Sequence, residues 1–279
     1  MKCTLLFSLI LFCGSLLAQK PIQVEQQGEG QPILFLPGFT SPGQVWEETI
    51  SHLPDHYQSH TVSYAGFHGL EPVGTPWYSA IRDELMAYIQ AVPNREWTII
   101  GHSMGGNLAV ELAAAIPDQV TGLILVDALP CMRALMMPGT PADQIQYQSP
   151  YNDQMIAMTN DQLKEVALGI AANMTNQPDK IQQLVEWTLT ADRKTYVYGY
   201  TDLLKLDLRP NLQKITAKTL ILGTSFPSRE ITSQTFQQQY ANLINKEIEL
   251  VDDSKHFIMF DQPEWLHDQI NSYLQKNGH

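Results

Sequence analysis

A serine lies between glycines at the point where an apolar run gives way to an alanine-rich stretch. The run is Trp97–Ile100, and Gly101-His102-Ser103-Met104-Gly105 follows it. Flanking glycines let a helix pack closely on a strand while the serine at the corner holds an unfavourable backbone conformation. A hydroxyl exposed in this way can attack a carbonyl carbon when a base takes its proton. The spacing therefore predicts a nucleophile at Ser103 rather than the middle of a structural turn.

The elements around this serine alternate between strand and helix. Patterns typical of strands occupy Ile22–Gln27, Pro32–Leu36, Tyr57–Tyr64, Trp97–Ile100, Val120–Val126, Thr219–Leu222 and Glu247–Val251. Helical patterns occupy Val45–Leu53, Trp77–Val92, Gly105–Ile116, Glu230–Tyr240 and Pro263–Lys276. Solid apolar strands are typical of parallel sheets covered on both faces. We therefore predict an α/β fold with a mostly parallel, twisted sheet and helices on both faces. The turn at Gly28-Glu29-Gly30 also predicts a hairpin between the first two strands.

The alternation stops after Asp127. Residues 130–213 contain helical patterns, among them Asp161–Asn173 and Lys180–Leu189, but no convincing strand. Because strands resume near residue 219, the sheet must be built from both flanks of this segment. We predict one core formed by residues 19–129 and 214–279, with residues 130–213 as an α-helical insertion.

The first 18 residues have the composition of a secretory signal peptide. Lys2 supplies a positive charge, Thr4–Leu17 is almost wholly apolar, and Ala18 is a small residue at the expected cleavage point. An apolar run of about 14 residues is short for a membrane span. Phe12 is bulky beside Cys13, where lipid-attachment sites resemble one another in carrying Gly or Ala. We expect cleavage after Ala18 and an exported protein, periplasmic or secreted, with no integral membrane span after cleavage.

Composition limits the partners and cofactors. A formal charge of −12 disfavours binding to nucleic-acid phosphates. Apolar residues make up 44% of the chain, enough for a core that folds alone. Signal cleavage would leave Cys131 as the single cysteine, so no internal disulfide is expected. Neither zinc-ligand spacing nor a Gly-rich phosphate loop is present in the sequence, and we expect no metal and no organic cofactor.

Five segments resemble the α/β-hydrolase family, spread through essentially the whole mature chain. They are Leu36–Phe39, Gly101–Gly106, Leu123–Ala128, Asp207–Pro210 and His256–Met259. The resemblance is to small capped, esterase-like members with a serine nucleophile. It implies that the helical insertion is a cap placed after the sixth strand. It also implies an oxyanion hole made by the backbone N–H groups of Phe39 and Met104.

The family's chain order is nucleophile, then acid, then histidine, which makes His256 the implied base. His256 follows the last strand, in a loop before the last helix. His102 adjoins the nucleophile, where neighbouring side chains on a tight turn diverge, so we expect a packing or positioning role. For His267, the helical pattern predicts a solvated or partly covered face.

The acid departs from the family pattern. Relatives usually carry an Asp just after the strand that follows the cap, but Phe226 stands near that position here. Asp127, at the end of the strand before the insertion, lies at the same carboxyl edge of the sheet as Ser103. A third group must orient the imidazole, and we take Asp127 as the leading candidate. Glu230 and Asp253 remain alternatives.

Apolar side chains concentrate early in the predicted cap. They are Leu135, Met136, Met137, Tyr147, Tyr151, Met155, Ile156 and Met158. Methionine-rich surfaces adapt to varied apolar shapes, so Met136 and Met155 are candidates for a substrate pocket above Ser103. Helical spacing of this kind is equally typical of a cap's own core.

The expected activity is hydrolysis of a small-molecule carboxylic ester through an acyl-enzyme intermediate. The same triad could act on a lactone, an amide or a carbon–carbon bond, because fold and chemistry are loosely linked. A non-catalytic binding protein that kept the fold is the other alternative, raised by the phenylalanine at position 226.

Overall fold

A computed structural model describes residues 19–92 and 95–277. The predicted signal segment, residues 1–18, lies outside the described residues. In the described part of the chain, no helix has the length and apolar character needed to cross a membrane.

Seven strands form one sheet in the order β1-β3-β2-β4-β5-β6-β7. Their bounds are β1 (Ile22–Gln27), β2 (Gln31–Leu36), β3 (Tyr57–Tyr64), β4 (Trp97–His102), β5 (Val120–Val126), β6 (Lys218–Thr224) and β7 (Lys246–Val251). Every neighbouring pair is parallel except β1 with β3. The predicted α/β class with a mostly parallel sheet is confirmed.

The predicted hairpin between β1 and β2 is wrong. Strand β3 lies between them and pairs antiparallel with β1 and parallel with β2. Gly30 has a φ of 120°, and a Cβ placed on it would lie 2.1 Å from the carbonyl oxygen of His56. The glycine turn therefore carries the chain across the start of β3 instead of back along β1.

Helices connect the strands and cover both faces of the sheet. Their bounds are α1 (Glu47–Ser51), α2 (Trp77–Gln90), α3 (Met104–Ala115), α4 (Met132–Met136), α5 (Pro150–Ala157), α6 (Asn160–Ala171), α7 (Pro178–Thr190), α8 (Arg193–Lys205), α9 (Arg229–Gln239), α10 (Ile258–Asp261) and α11 (Pro263–Asn277). In the described part of the chain, three short 3-10 turns occupy Gly43–Trp46, Ala142–Gln144 and Leu212–Lys214.

Side chains of the central strands alternate between two apolar layers, as expected for strands buried on both faces. Leu34 and Ile99 pack in the layer that includes α2, α3 and α9. Ile33 and Ile100 pack in the layer that includes α11. Packing on both faces holds these strands in place. The loops that leave the carboxyl ends of β2, β4, β5 and β6 therefore start from fixed positions.

Helices α4 to α8 lie in the segment between β5 and β6. Met155, Leu163 and Val197 form a small buried cluster within this segment. Helix α8 packs on the α/β core, since a Cβ on Gly199 would lie 3.0 Å from the ring of Phe39 and 3.1 Å from that of Trp77. Strand β5 is the fifth strand of the described residues, where the resemblance implied a sixth before the cap.

Candidate active site

Ser103 occupies a sharp corner between β4 and α3. Its φ and ψ are 54° and −119°, a conformation that non-glycine residues rarely adopt. Its backbone N–H donates to the carbonyl oxygen of Val126 at the end of β5 (2.9 Å). A Cβ on Gly105 would lie 2.1 Å from the carbonyl oxygen of Leu36, and one on Gly101 would lie 2.4 Å from that of Gly105. The two flanking glycines therefore permit the close packing that holds the serine at the corner.

The loop after β2 lies against the start of α3. A Cβ on Gly38 would lie 2.8 Å from Nδ1 of His102 and 3.4 Å from Cβ of Ser103, so a larger residue would displace the loop. Phe39 and Met104, the residues expected to supply oxyanion-hole N–H groups, follow Gly38 and Ser103. Met104 begins α3, and N–H groups of a first helical turn lack intrahelical acceptors. The arrangement brings two short backbone segments together beside Ser103.

Asp127 and His256 form a direct contact. Nδ1 of His256 lies 2.6 Å from Oδ2 of Asp127, and the two side chains are 26% and 16% exposed. Asp127 follows β5 with a φ of 42°, and its N–H donates to the carbonyl oxygen of Leu222 in the adjacent strand (2.7 Å). The N–H of Thr224 lies 3.4 Å from Oδ1 of Asp127. The neighbouring strand therefore holds the carboxylate in place toward the imidazole.

The contact fixes the tautomer of His256. A carboxylate only accepts hydrogen bonds, so Nδ1 carries the proton and Nε2 is left as the basic nitrogen. Within residues 19–92 and 95–277, no hydrogen bond joins the hydroxyl of Ser103 to His256. Hydrogen bonds between nucleophile and base are often long without substrate and tighten in the complex.

His102 adjoins Ser103 in sequence, and its ring lies beside that of His256. Its ring is fully buried and its centroid lies 4.6 Å from that of His256. Its Nε2 donates to the backbone carbonyl oxygen of His256 (3.0 Å). Burial, and secondly the nearby His256, hold the pKa of His102 well below its ordinary value. His102 therefore stays neutral and adds no positive charge beside His256.

The other acid candidates lie elsewhere. Glu230 and Asp253 are exposed, and Phe226 is 47% exposed on the loop after β6. The carboxylate that contacts His256 instead follows β5. Strand pairing explains the proximity, because β5 lies between β4 and β6 in the sheet. In the described ranges, no group of three His, Cys, Asp or Glu side chains is placed to hold a metal ion.

Aromatic side chains surround Phe39. Its ring centroid lies 5.2 Å from that of Phe67, 5.8 Å from Tyr196 and 6.0 Å from Tyr200. Tyr196 and Tyr200 belong to α8, so the helical segment between β5 and β6 contributes directly to this cluster. Burial raises the pKa of Tyr196 to about 12, and its hydroxyl therefore remains protonated.

The two methionine candidates occupy different environments. The hydroxyl of Tyr200 donates to Sδ of Met136 (3.4 Å), which joins Met136 to the aromatic cluster at Phe39. Met155 is 5% exposed and packs with Leu163 and Val197 in the segment between β5 and β6. This burial favours the alternative interpretation of Met155, a side chain in the core of the helical segment between β5 and β6.

A second correction concerns His267. It is 6% exposed and its ring stacks on that of His52 at 4.2 Å. The sequence predicted a solvated or partly covered helix face for it. Helical periodicity alone does not show that the end of α1 packs against this part of α11, and this packing buries the ring.

Comparisons with known proteins match this chain to a hydrolase family model and to proteins named as esterases. A family model described as "Alpha/beta hydrolase family" matches residues 33–269. A pimeloyl-[acyl-carrier protein] methyl ester esterase of Aliivibrio fischeri is 32% identical over 110 residues, which is 39% of this chain and 41% of that protein. The corresponding esterase of Aliivibrio salmonicida is 25% identical over 69% of this chain and 72% of its own length.

Solved structures share the fold. An esterase from Exiguobacterium antarcticum superposes with a TM-score of 0.72 at 23% identity, covering 91% of this chain and 95% of that one. An enol-lactonase from Burkholderia xenovorans LB400 superposes with a TM-score of 0.73 at 13% identity, covering 91% and 96%. At these identities the superpositions show the architecture, and they include structures with different named reactions.

Proposed function

The chain belongs to the alpha/beta hydrolase family, and on that premise we propose that it is a serine hydrolase that cleaves carboxylic esters. The observation that carries the proposal is the 2.6 Å contact between His256 and Asp127 at the sheet edge that also holds the Ser103 corner. The relatives named as methyl ester esterases support an ester over the other acyl substrates.

The proposed reaction proceeds in two halves. The hydroxyl of Ser103 attacks the ester carbonyl while Nε2 of His256 takes its proton, and Asp127 stabilises the imidazolium that forms. The N–H groups of Phe39 and Met104 donate to the tetrahedral oxyanion. His256 then gives the proton to the leaving alcohol, and the acyl group remains on Ser103. Water attacks the acyl-enzyme with His256 as base, which releases the acid and restores the serine.

A fluorophosphonate probe tests the proposal most directly. We expect it to label Ser103 in the folded protein, as mapped by mass spectrometry of peptides, and to abolish hydrolysis of p-nitrophenyl butyrate in parallel. A folded protein that leaves Ser103 unlabelled would point to a binding protein instead. A panel of matched esters, lactones and amides then separates the reaction types, and faster turnover of lactones or amides would contradict the ester assignment.

The rings of Phe67, Tyr196 and Tyr200 around Phe39, together with Met136, form an apolar surface beside the loop after β2. This surface favours a substrate with an acyl group of small or medium size. We expect Met136→Ala to lower kcat/KM for hexanoyl esters relative to acetyl esters by about threefold to tenfold, since apolar contact is lost. The measurement is the ratio of kcat/KM for the two esters in variant and wild type.

Met155→Ala is the matched control for that prediction. It also removes a methionine side chain from the cap, but from the cluster with Leu163 and Val197. We expect it to lower the Tm without changing the ratio between acyl lengths, because truncating a buried methionine destabilises a core by about 2–5 kcal/mol. An equal change of the ratio in both variants would contradict a pocket at Met136.

We also propose that the protein is exported and cleaved after Ala18, on the sequence pattern of residues 1–18. Amino-terminal sequencing of the protein recovered from its producing cells tests this, with Gln19 expected as the first residue. A chain that retains residues 1–18 would contradict it.

A further inference from the structure

The carboxylate of Asp261 lies between the loop that carries His256 and the turn that joins α6 to α7. Oδ2 accepts from the backbone N–H of Lys255 (2.8 Å). Oδ1 accepts from the hydroxyl of Thr175 (2.6 Å) and the backbone N–H of Asn176 (2.9 Å). Thr175 is fully buried. One carboxylate thus receives three hydrogen bonds, two from the cap and one from the residue next to His256.

Further contacts join the same two segments. The N–H of Phe257 donates to the carbonyl oxygen of Met174 (2.9 Å). The side chain of Asn176 donates to the carbonyl oxygen of Asp253 (3.1 Å), and Nζ of Lys255 donates to the carbonyl oxygen of Ala172 (2.7 Å). Ala172 is the C-cap that follows α6, and at this end of a helix carbonyl groups lack intrahelical donors and a cation is favourable. The cap turn therefore contacts the His256 loop on both sides of the histidine.

The backbone at His256 is fixed from three directions. Asp261 holds the residue before it, Met174 of the cap holds the residue after it, and His102 holds its own carbonyl oxygen. Asp127 orients the ring only through Nδ1. Because this contact acts on the ring alone, the position of the His256 backbone sets the distance between Nε2 and the hydroxyl of Ser103. A displacement of a catalytic group by 1 Å can cost about a hundredfold in rate.

We propose that Asp261 is a positioning residue that fastens the His256 loop to the α6–α7 turn, so that the placement of the base depends on the docked cap. The inference rests on the proposed function, in which His256 is the base. The cap then has two roles, because it contributes aromatic side chains near Phe39 through α8 and sets the base through the α6–α7 turn.

The test compares Asp261→Asn with variants at Thr175, using p-nitrophenyl butyrate as substrate. The asparagine keeps one acceptor oxygen but places an N–H₂ group against the Lys255 amide or the Thr175 hydroxyl. We expect kcat to fall by about tenfold to a hundredfold while KM changes by less than about threefold. Thr175→Val, which removes the hydroxyl at nearly constant volume, should lower kcat by several-fold. Thr175→Ser, which keeps the donor, should restore kcat to near the wild-type value.

Asp207→Asn is the matched control. Asp207 is also a partly buried carboxylate, and it accepts from the side chain of Arg209 (2.8 and 2.6 Å) and from its backbone N–H (3.3 Å). We expect this variant to lose stability without losing kcat. An equal fall of kcat in Asp207→Asn and Asp261→Asn would overturn the inference, because it would indicate a general effect of stability.

His256→Ala separates failure of the inference from failure of the proposed function. Inactive His256→Ala together with unchanged kcat in folded Asp261→Asn would overturn the inference alone. Activity retained by His256→Ala would overturn the proposed function and the inference with it. If Asp261→Asn does not fold, the comparison of Thr175→Val with Thr175→Ser decides the inference, and equal kcat in those two variants would overturn it.

Discussion

Replacing Ser103 with alanine is expected to lower kcat for ester hydrolysis by about 10⁶-fold, the scale of nucleophile removal in serine proteases. The proposed acyl-enzyme cannot form without the hydroxyl, and only binding and the oxyanion hole remain to accelerate attack by water. Alanine keeps a Cβ, so the strain at the corner is unchanged and the fold should be retained. The measurement is the initial rate at saturating p-nitrophenyl butyrate, with the Tm recorded on the same preparation.

Ser51→Ala is the control for that prediction. The hydroxyl of Ser51 is exposed at the end of α1 and donates to the carbonyl oxygen of Glu48 (2.7 Å). It should retain wild-type kcat. A folded Ser103→Ala variant with activity within tenfold of the wild type would show that another nucleophile or an activated water performs the reaction.

Asp127→Asn has the second largest expected effect, a fall of kcat by at least a hundredfold and by about 10⁴-fold if it follows the serine proteases. An amide nitrogen near Nδ1 of His256 would donate a hydrogen bond where the carboxylate accepts one. The imidazole would then carry its proton on Nε2 and could not take the serine proton. Asparagine tolerates a positive φ, so the φ of 42° at this position does not oppose the substitution.

Glu230→Gln and Asp253→Asn complete the comparison. Both carboxylates are exposed, and the contact to Nδ1 of His256 comes from Asp127. We expect both variants to keep near-normal kcat with p-nitrophenyl butyrate. A loss in either one, with a near-normal rate in Asp127→Asn, would contradict Asp127 as the acid.

Local patterns predicted most elements of the sheet, because β4 and β5 contain short apolar runs, Ile99-Ile100 and Leu123–Val126, next to glycine or polar residues. The hairpin failed for a different reason. Pairing of β1 with β3 depends on contacts between residues 32 to 42 positions apart, from Gln27 with Ser59 to Ile22 with Tyr64. A glycine turn looks the same whether the next strand returns beside the first or passes it.

The candidate site shows the same difference between local patterns, which the sequence reveals, and contacts between distant residues, which it does not. The Ser103 corner could be predicted because its glycines meet a local steric demand. Asp127 could only be ranked against Glu230 and Asp253, since the contact with His256 spans 129 residues of sequence. The sequence gives no signal for Asp261, because an acidic residue before a helix is also typical of a solvated helix start. Its three hydrogen bonds depend on where the α6–α7 turn docks.

Among the described residues, five non-glycine residues in loops at the carboxyl edge of the sheet have positive φ values: Thr40 at 63°, His68 at 51°, Ser103 at 54°, Asp127 at 42° and Asp253 at 54°. Each such residue costs free energy that the rest of the fold must offset. Glycine at position 103 would relieve the strain and remove the proposed nucleophile at the same time. Selection for heat resistance alone would therefore enrich inactive sequences at this edge, and a screen for robust variants of this protein has to score turnover together with thermal tolerance.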